Sequence, residues 1–262
     1  MIVVTADQRG STRARDRVPE ALELVAARSA GRAGVVLPFD RTVGDELQGV
    51  LAADDAGAAL AVDLVLDLVR DGGWAVGVGL GAVDRPLPEA SRAASGPAFV
   101  RARLAVERAK RRGRGSVPLA VVGPDEEPRA TVAADAQALL HLLGAVVARR
   151  SAAGWEAVDT LAAQRGPAPQ RASAAALGVS EQAVSQRLRA ALWAEDAAAR
   201  PLAARLLRGA GSDPDGDDAV GAGDAVGDVD DDADVDTGAD TAADAGADTA
   251  GTHDGAGEGR AR

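Results

Sequence analysis

The chain has no cysteine, no tyrosine, one lysine and one methionine, and its aromatic residues are three tryptophans and two phenylalanines. Without cysteine, neither a disulfide nor a thiolate metal site can form. Histidine is almost as scarce. His141 lies in an apolar run with no second histidine within four residues, and His253 lies near the end of the sequence, so neither supports a zinc site. With no histidine patterned near a serine, a hydrolase triad has no support. The first residues are not a basic stretch followed by an apolar one, so no secretory signal is expected. The apolar run Ala58 to Val69 is interrupted by Asp63 and Asp67 and is too short to span a bilayer. The expectation is a cytoplasmic protein with no membrane partner. Lys110 stands against 28 arginines, among abundant alanine and glycine, which fits a GC-rich genome. Alanine richness alone therefore carries little structural information.

The formal net charge of −11 conceals a division along the chain. Residues 211–262 hold 16 acidic and 2 basic residues, whereas residues 1–210 hold 24 acidic and 27 basic ones. Residues 149–208 carry nine arginines against five acids. The local sign decides attraction to phosphate, so the acidic whole does not exclude a nucleic-acid partner.

That basic segment contains QRASAAALGVSEQAVSQRLR, Gln170 to Arg189. It reads as two short helices joined by a tight turn. Ala174 is small enough for a second helix to cross it, and Leu177, Val179, Val184 and Leu188 fall where a shared core would form. Gly178 sits where the chain must turn, and glycine accepts positive φ without a Cβ clash. Ser180 is a suitable N-cap, with Glu181 in the first turn. If Val184 and Leu188 face inward, Gln182, Ser185, Gln186 and Arg189 face outward. Glutamine reads adenine, arginine reads guanine, and serine serves either. The competing interpretation is an ordinary helical hairpin with a glycine turn. The segment resembles the helix-turn-helix family at successive positions. That resemblance implies binding of double-stranded DNA by Arg171, Ser180, Gln182, Ser185, Gln186, Arg187, Arg189 and Arg200, with Arg171, Arg187 and Arg200 as the phosphate contacts.

Upstream, Ile2 to Thr5 reads as a strand and Pro19 to Ala30 as a helix. Val35 to Leu37 and Leu47 to Leu51 read as strands around a turn at Val43 to Asp45. Leu60, Leu64 and Leu68 have helical spacing that ends at Gly72. Trp74 to Val83 reads as a strand in which Gly77, Gly79 and Gly81 leave one face without side chains, so something can approach closely there. A helix over Phe99 to Arg112 and a strand over Val117 to Val122 complete a βαββαβ order with a further strand. This suits an α/β (α+β) sandwich on a mostly antiparallel sheet. Ala133 to Arg150 looks like a linking helix. Trp155, Val158, Leu161 and Ala162 would face inward on the next one, and Asp196 to Arg208 would be a last packing helix. No strand pair follows Trp193, so no β wing is predicted. The tryptophans read as core anchors.

From Gly211 onward the sequence is Asp, Ala, Gly and Thr, a composition that buries too little to order itself, so disorder is expected. Asp213 to Asp224 is vaguely like a calcium loop, but Asp218 stands where that loop needs glycine, and a plain solvated tail is the competing interpretation. The domain expectation is 1–125 for the α/β domain, 126–150 for a linking helix, 151–208 for the helix-turn-helix domain and 209–262 for a disordered acidic tail.

Two segments of the first domain have residues suited to chemistry: Ala6 to Thr12 after the first strand, and Thr42 to Glu46 in the hairpin. Carboxylates at Asp7 and Asp45 could converge on Mg²⁺, and Gly10-Ser11-Thr12 could offer donors to a phosphate. Turn-capping by Asp7 and a plain hairpin at Gly44-Asp45 are the alternatives. Arg101, Arg103, Arg108, Arg111 and Arg112 read as a solvated face, or as a basic stripe able to hold a nucleotide. The motifs DQRGST (Asp7 to Thr12), Gly44-Asp45 and Val76 to Gly81 resemble the core of class III nucleotide cyclases. VGDELQGVL (Val43 to Leu51), VGVGLGAV (Val76 to Val83) and GPAFVRAR (Gly96 to Arg103) look more closely like the SatD family, a bacterial family with a cyclase-like core. The resemblance implies a ferredoxin/cyclase-like sandwich over residues 1–120. It also implies metal ligands at Asp7 and Asp45, and nucleotide contacts at Gly10, Ser11, Thr12 and Arg103. One departure is Val100, which stands where cyclases carry the asparagine that orients the ribose.

Three functions are open at this stage. The first is a DNA-binding transcriptional regulator, expected to be a homodimer, whose first domain senses a ligand or holds the dimer. The second is a metal-dependent nucleotide-binding or cyclase-like enzyme, regulated by its C-terminal helices and using Mg²⁺ with a nucleotide. The third is a protein-interaction adaptor. Turnover is the lesser expectation.

Overall fold

Gly77 and Gly79 explain the layering of the molecule. In the computed structural model, which describes residues 1–11, 14–113 and 115–212, both glycines lie on strand β4 (Trp74–Leu80). A Cβ on Gly77 would collide with the backbone of Ala102 and Val106, and one on Gly79 with that of Ala98 and Ala102. These three residues belong to helix α3 (Pro97–Lys110). The bare strand face foreseen from the sequence is thus where α3 is pressed onto the sheet. Val3, Ala75, Ala120 and Val122 are buried on the same side.

The sheet has five strands in the order β2-β3-β1-β4-β5. The central strand β1 (Ile2–Gln8) runs antiparallel to both neighbours, placing Val4 opposite Gly49 and Val78. Strand β2 (Val35–Arg41) pairs antiparallel with β3 (Glu46–Leu51) across a turn in which Gly44 has φ 69°. Strand β5 (Leu119–Val122) adds parallel to β4 at the far edge. Helix α1 (Val18–Ser29) joins β1 to β2 and helix α2 (Asp55–Asp71) joins β3 to β4. Each parallel pair straddles one strand of the other, which makes two interlocked split β-α-β units. The fold is therefore mixed α/β with a mixed sheet.

Helix α2 starts at Asp54, whose side chain accepts from Gly57 N at 2.7 Å, and ends at Gly72 with φ 72°. Leu60, Ala61, Leu64, Val65 and Leu68 are fully buried, and apolar residues on most of its circumference make it a core helix. The sheet face beneath it is lined by Ile2, Val4, Ala6, Val76, Val78 and Leu80.

Two more helices complete this core. The expected linking helix is α4 (Arg129–Arg149), whose stripe Ala133, Ala136, Leu140, Leu143 and Val147 is buried against the sheet layer. It is also the one helix among the described residues that is long and apolar enough, by length and composition, to cross a membrane. The expected last packing helix is α8 (Trp193–Gly211). Its Ala203, Ala204, Leu207 and Ala210 enter the same core, and the Met1 ammonium donates to Gly211 O at 2.7 Å. Residues 209–211, expected to start the tail, are therefore helical. The rest of that tail, its calcium-like segment and Thr12 lie outside the described residues.

Between α4 and α8, α5 (Ala152–Ala163), α6 (Pro169–Leu177) and α7 (Glu181–Ala190) build a core of their own. It consists of Ala157, Val158, Ala174, Val184, Leu188 and Ala191, with Leu161, Leu177 and Val179 packed against it. Ala162, expected to face inward, is exposed, and Ala157 takes that place. Trp155 packs against both this core and the larger one.

Candidate functional site

The turn between α6 and α7 is organised by its own backbone. Gly178 adopts the left-handed conformation (φ 64°, ψ 31°). Val179 N donates to Ala174 O at 3.0 Å, a helix-ending pattern that glycine permits. Ser180 then caps α7, its side chain accepting from Ala183 N at 3.1 Å. The cap uses one lone pair of the hydroxyl, so the position serves the turn and keeps its O–H as a donor.

Val184 and Leu188 are buried, as their spacing requires. Gln182, Gln186 and Arg189 are exposed on the other side of α7, and Ser185 is half-buried. Arg189 Nε donates to Ser185 O at 3.4 Å. Arg171 is exposed on α6, 3.3 Å from Glu181. These residues form one continuous polar surface. Arg187 is partly withdrawn from it by Glu156 of α5, at 2.8 Å.

Arg200 lies elsewhere. It sits on α8, where Nε donates to Asp196 at 2.8 Å and Nη1 to Asp63 of α2 at 2.9 Å. Burial works against its charge, but the two carboxylates outweigh burial and raise its pKa. Two ion pairs in a half-buried position make Arg200 a tie between helices rather than a phosphate contact.

Sequence reasoning missed the group that fastens α5–α7 to the rest. Arg150 and Asp196 form an ion pair at 2.9 Å with both side chains fully buried. Arg150 Nε also donates to Ala191 O at 3.0 Å, just past the end of α7. The Trp155 ring lies between two guanidiniums, Arg70 of α2 at 3.7 Å and Arg150 at 4.4 Å from its centroid. Arg70 in turn holds Asp159 of α5, with Nη1 to Oδ1 at 2.7 Å. Leu192, beside this junction, has φ 51°, the one non-glycine residue with positive φ among the described residues.

The second candidate region is a cleft of about 480 Å³ lined by Asp7, Gln8, Arg9, Gly10, Ser11, Asp45 and Lys110. It brings together Asp7, Asp45, Gly10 and Ser11, all of them singled out from the sequence. Arg103 does not join them. It is exposed on α3, seven residues before Lys110 and so roughly 10 Å away along the helix axis.

Lys110 was the unforeseen member, and its signal was its rarity as the only lysine. Its Nζ lies 2.8 Å from Asp7 Oδ2 and 2.9 Å from Glu107 Oε1. Burial pulls the lysine pKa down, yet the hydrogen bonds to Asp7 and Glu107 hold it above the usual value. Burial pushes the Asp7 carboxyl up, Lys110 offsets part of this, and the charges of Asp45 and Glu107 add to the rise.

Mg²⁺ accepts one or two carboxylates when phosphate oxygens complete its shell. Asp7 and Asp45 meet that minimum, but the Lys110 ammonium already sits against Asp7. No group of three or more potential metal ligands occurs among the described residues. The donor set therefore fits a metal only where Lys110 gives way.

Comparison with protein-family models, curated proteins and solved structures returns no match.

Proposed function

We propose that the chain is a DNA-binding transcriptional regulator. In this reading α6 and α7 act as a helix-turn-helix, and the sheet domain, with its cyclase-like arrangement, senses a ligand or holds a homodimer. The observation that carries it is the two-sidedness of α7. Val184 and Leu188 are buried in the α5–α7 core, while Gln182, Gln186 and Arg189 stand exposed in one row beside the left-handed Gly178 turn. Glutamine and arginine in such a row have the donors and acceptors that major-groove base edges require. The excess of arginine over acid in residues 149–208 adds attraction to phosphate.

The test is fluorescence anisotropy across a salt series, with a duplex from upstream of the chain's own gene and a scrambled duplex. Binding should weaken with salt and prefer the first duplex, and Gln186→Ala should narrow that preference. A folded chain that binds neither duplex at low salt overturns the proposal and favours a protein-docking role for the same face.

A second reading has its own observation in the convergence of Asp7, Asp45, Gly10 and Ser11 on one cleft. Under it, the cleft binds a nucleotide with Mg²⁺, and Lys110 moves from Asp7 to a phosphate. Mg²⁺- or Mn²⁺-dependent nucleotide binding that is lost in both Asp7→Asn and Asp45→Asn supports this. Binding unaffected by either substitution removes it.

A further inference from the structure

About half of the described arginines pair with a carboxylate. Arg17, Arg28, Arg32, Arg41, Arg70 and Arg92 each meet an aspartate at 2.5–2.8 Å. Helix α3 and the turn after it gather five that do not. Arg101, Arg103, Arg108, Arg111 and Arg112 make no ion pair with a carboxylate among the described residues.

Three of these arginines share one concavity. Arg108, Arg111 and Arg112, with Ala120 and Gln137, line a cavity of about 310 Å³ without any carboxylate in its wall. Like charges three and four residues apart repel one another. Glu107, outside the wall, attracts Arg111, and no carboxylate stands among the three arginines.

The floor of this cavity is held in place. His141 Nε2 lies 2.7 Å from Leu119 O and 2.5 Å from Arg112 Nη1. Arg112 Nη1 also lies 3.3 Å from His141 Nδ1 and 3.4 Å from Leu119 O. Gln137 uses its Oε1 to accept from Val121 N at 3.1 Å, so its amide NH₂ remains a donor. The wall therefore offers guanidinium and amide donors, two of them on side chains already fixed by β5.

A second cavity of about 500 Å³ adjoins the first and shares Arg108 and Gln137 with it. Its walls include Pro97, Val100, Leu104 and Val122, with Asp125 as its one acid. Val100 is 70% and Leu104 43% exposed, so two apolar side chains stand in solvent on α3. Val100, Leu104, Arg108 and Arg111 follow one another at helical spacing. One face of α3 thus changes from apolar to cationic over roughly 16 Å.

We infer that this double cavity binds a soluble organic phosphate. The phosphoryl group lies among Arg108, Arg111, Arg112 and Gln137, and the apolar body lies along Leu104 and Val100. A phosphate monoester, with two charges and three terminal oxygens, can engage several guanidiniums, whereas one guanidinium suffices for a carboxylate. Both cavities fall in the size range of small-molecule sites. The site lies outside the Asp7 cleft. It is tested without DNA, so its failure and the failure of the DNA-binding reading are separable.

The experiment is calorimetric titration of the full chain with hexyl phosphate, inorganic phosphate and hexanoate. Hexyl phosphate should bind at least about tenfold more tightly than inorganic phosphate, because its chain buries apolar surface. It should also bind at least about tenfold more tightly than hexanoate, because of its additional charge-assisted bonds. Arg108→Glu and Arg111→Glu should each weaken hexyl phosphate about tenfold or more by removing one such contact and opposing the ligand's charge. Leu104→Gln should weaken hexyl phosphate and leave inorganic phosphate unchanged. Arg103→Glu, on the same helix but outside both cavities, should stay within about twofold, as a screened exposed charge would. The inference is overturned if hexanoate binds equally well, or if Arg103→Glu weakens binding as much as Arg108→Glu. It is also overturned if circular dichroism shows a folded chain that binds no hexyl phosphate. Binding to phosphatidate vesicles that hexyl phosphate fails to displace would overturn the soluble ligand in favour of a lipid surface.

Discussion

Asp196 is shared by two arginines: Arg150 Nη2 reaches its Oδ2 at 2.9 Å from one side, and Arg200 Nε reaches its Oδ1 at 2.8 Å from the other. Asp196 and the Arg150 side chain are buried, and Arg200 carries the link on to Asp63. Removing one partner of a buried pair leaves the other without compensation, at a cost of about 3–5 kcal/mol. Asp196→Ala strands the buried Arg150 guanidinium and takes one of the two carboxylates from Arg200, so it belongs at the upper end of that range. Arg150→Met leaves Asp196 with Arg200 and belongs at the lower end. Urea unfolding at pH 7 checks the order, and equal losses below 1 kcal/mol for both would contradict the shared role.

The alternation of glycine on β4 leads to a second expectation. A Cβ at Gly79 meets backbone atoms of Ala98 and Ala102, which cannot rotate away as a side chain would. Gly79→Ala must lift α3 from the sheet and should cost about 1–3 kcal/mol or more. Gly113→Ala is the matched control, since nothing lies within 4 Å of the added atom, and it should stay within about 0.5 kcal/mol. Thermal unfolding of the two variants side by side measures the difference.

These glycines also mark how far the sequence could be read. Their alternation announced a close approach but did not name α3 as the partner. Helix α2 was legible because apolar residues cover most of it and Gly72 ends it. The Gly178 turn, the Ser180 cap and the buried Val184 and Leu188 were legible because each depends on neighbours within four residues. Arg150, Trp155, Arg70 and Asp196 were not, because their pairings join helices far apart in the chain and no local period encodes them. The same reason hid the pairing of Lys110 with Asp7. The helix at α4 was visible as a helix, but its buried stripe gives no address, and only the fold shows it packed beneath the sheet.

Asp7 should make stability depend on pH in a known direction. Its pKa is raised in the folded chain, first by burial, so the native state holds this proton more tightly than the unfolded state does. Its contribution is complete below the unfolded value near 3.8 and is lost as pH rises through the folded pKa. Glu107 is shifted down, chiefly by its hydrogen bond to Lys110, and so acts in the opposite direction. A comparison with Asp7→Asn isolates the Asp7 part. The variant should gain stability relative to the parent as pH rises from 3 to 7, with Lys110 still held by Glu107. Urea midpoints measured at both ends would refute this if the parent gained instead.

The structure separates arginines that the sequence grouped as phosphate contacts, and salt dependence can show the separation. Each phosphate contact to duplex DNA contributes close to one unit to the slope of log affinity against log salt. Arg171 is exposed on the α6–α7 surface, so its change to alanine should weaken all duplexes alike and reduce the slope by about one. Arg200 holds Asp63 and Asp196 on another helix, so Arg200→Ala should lower stability while leaving the slope of the folded fraction unchanged. Ser180→Ala should cost about 1 kcal/mol through the lost cap without altering which sequence is preferred. Anisotropy titrations at three salt concentrations, paired with melts of the same samples, read both quantities. A reduced slope for Arg200→Ala together with an unchanged slope for Arg171→Ala would place the DNA on α8 and remove the α6–α7 surface from the interface.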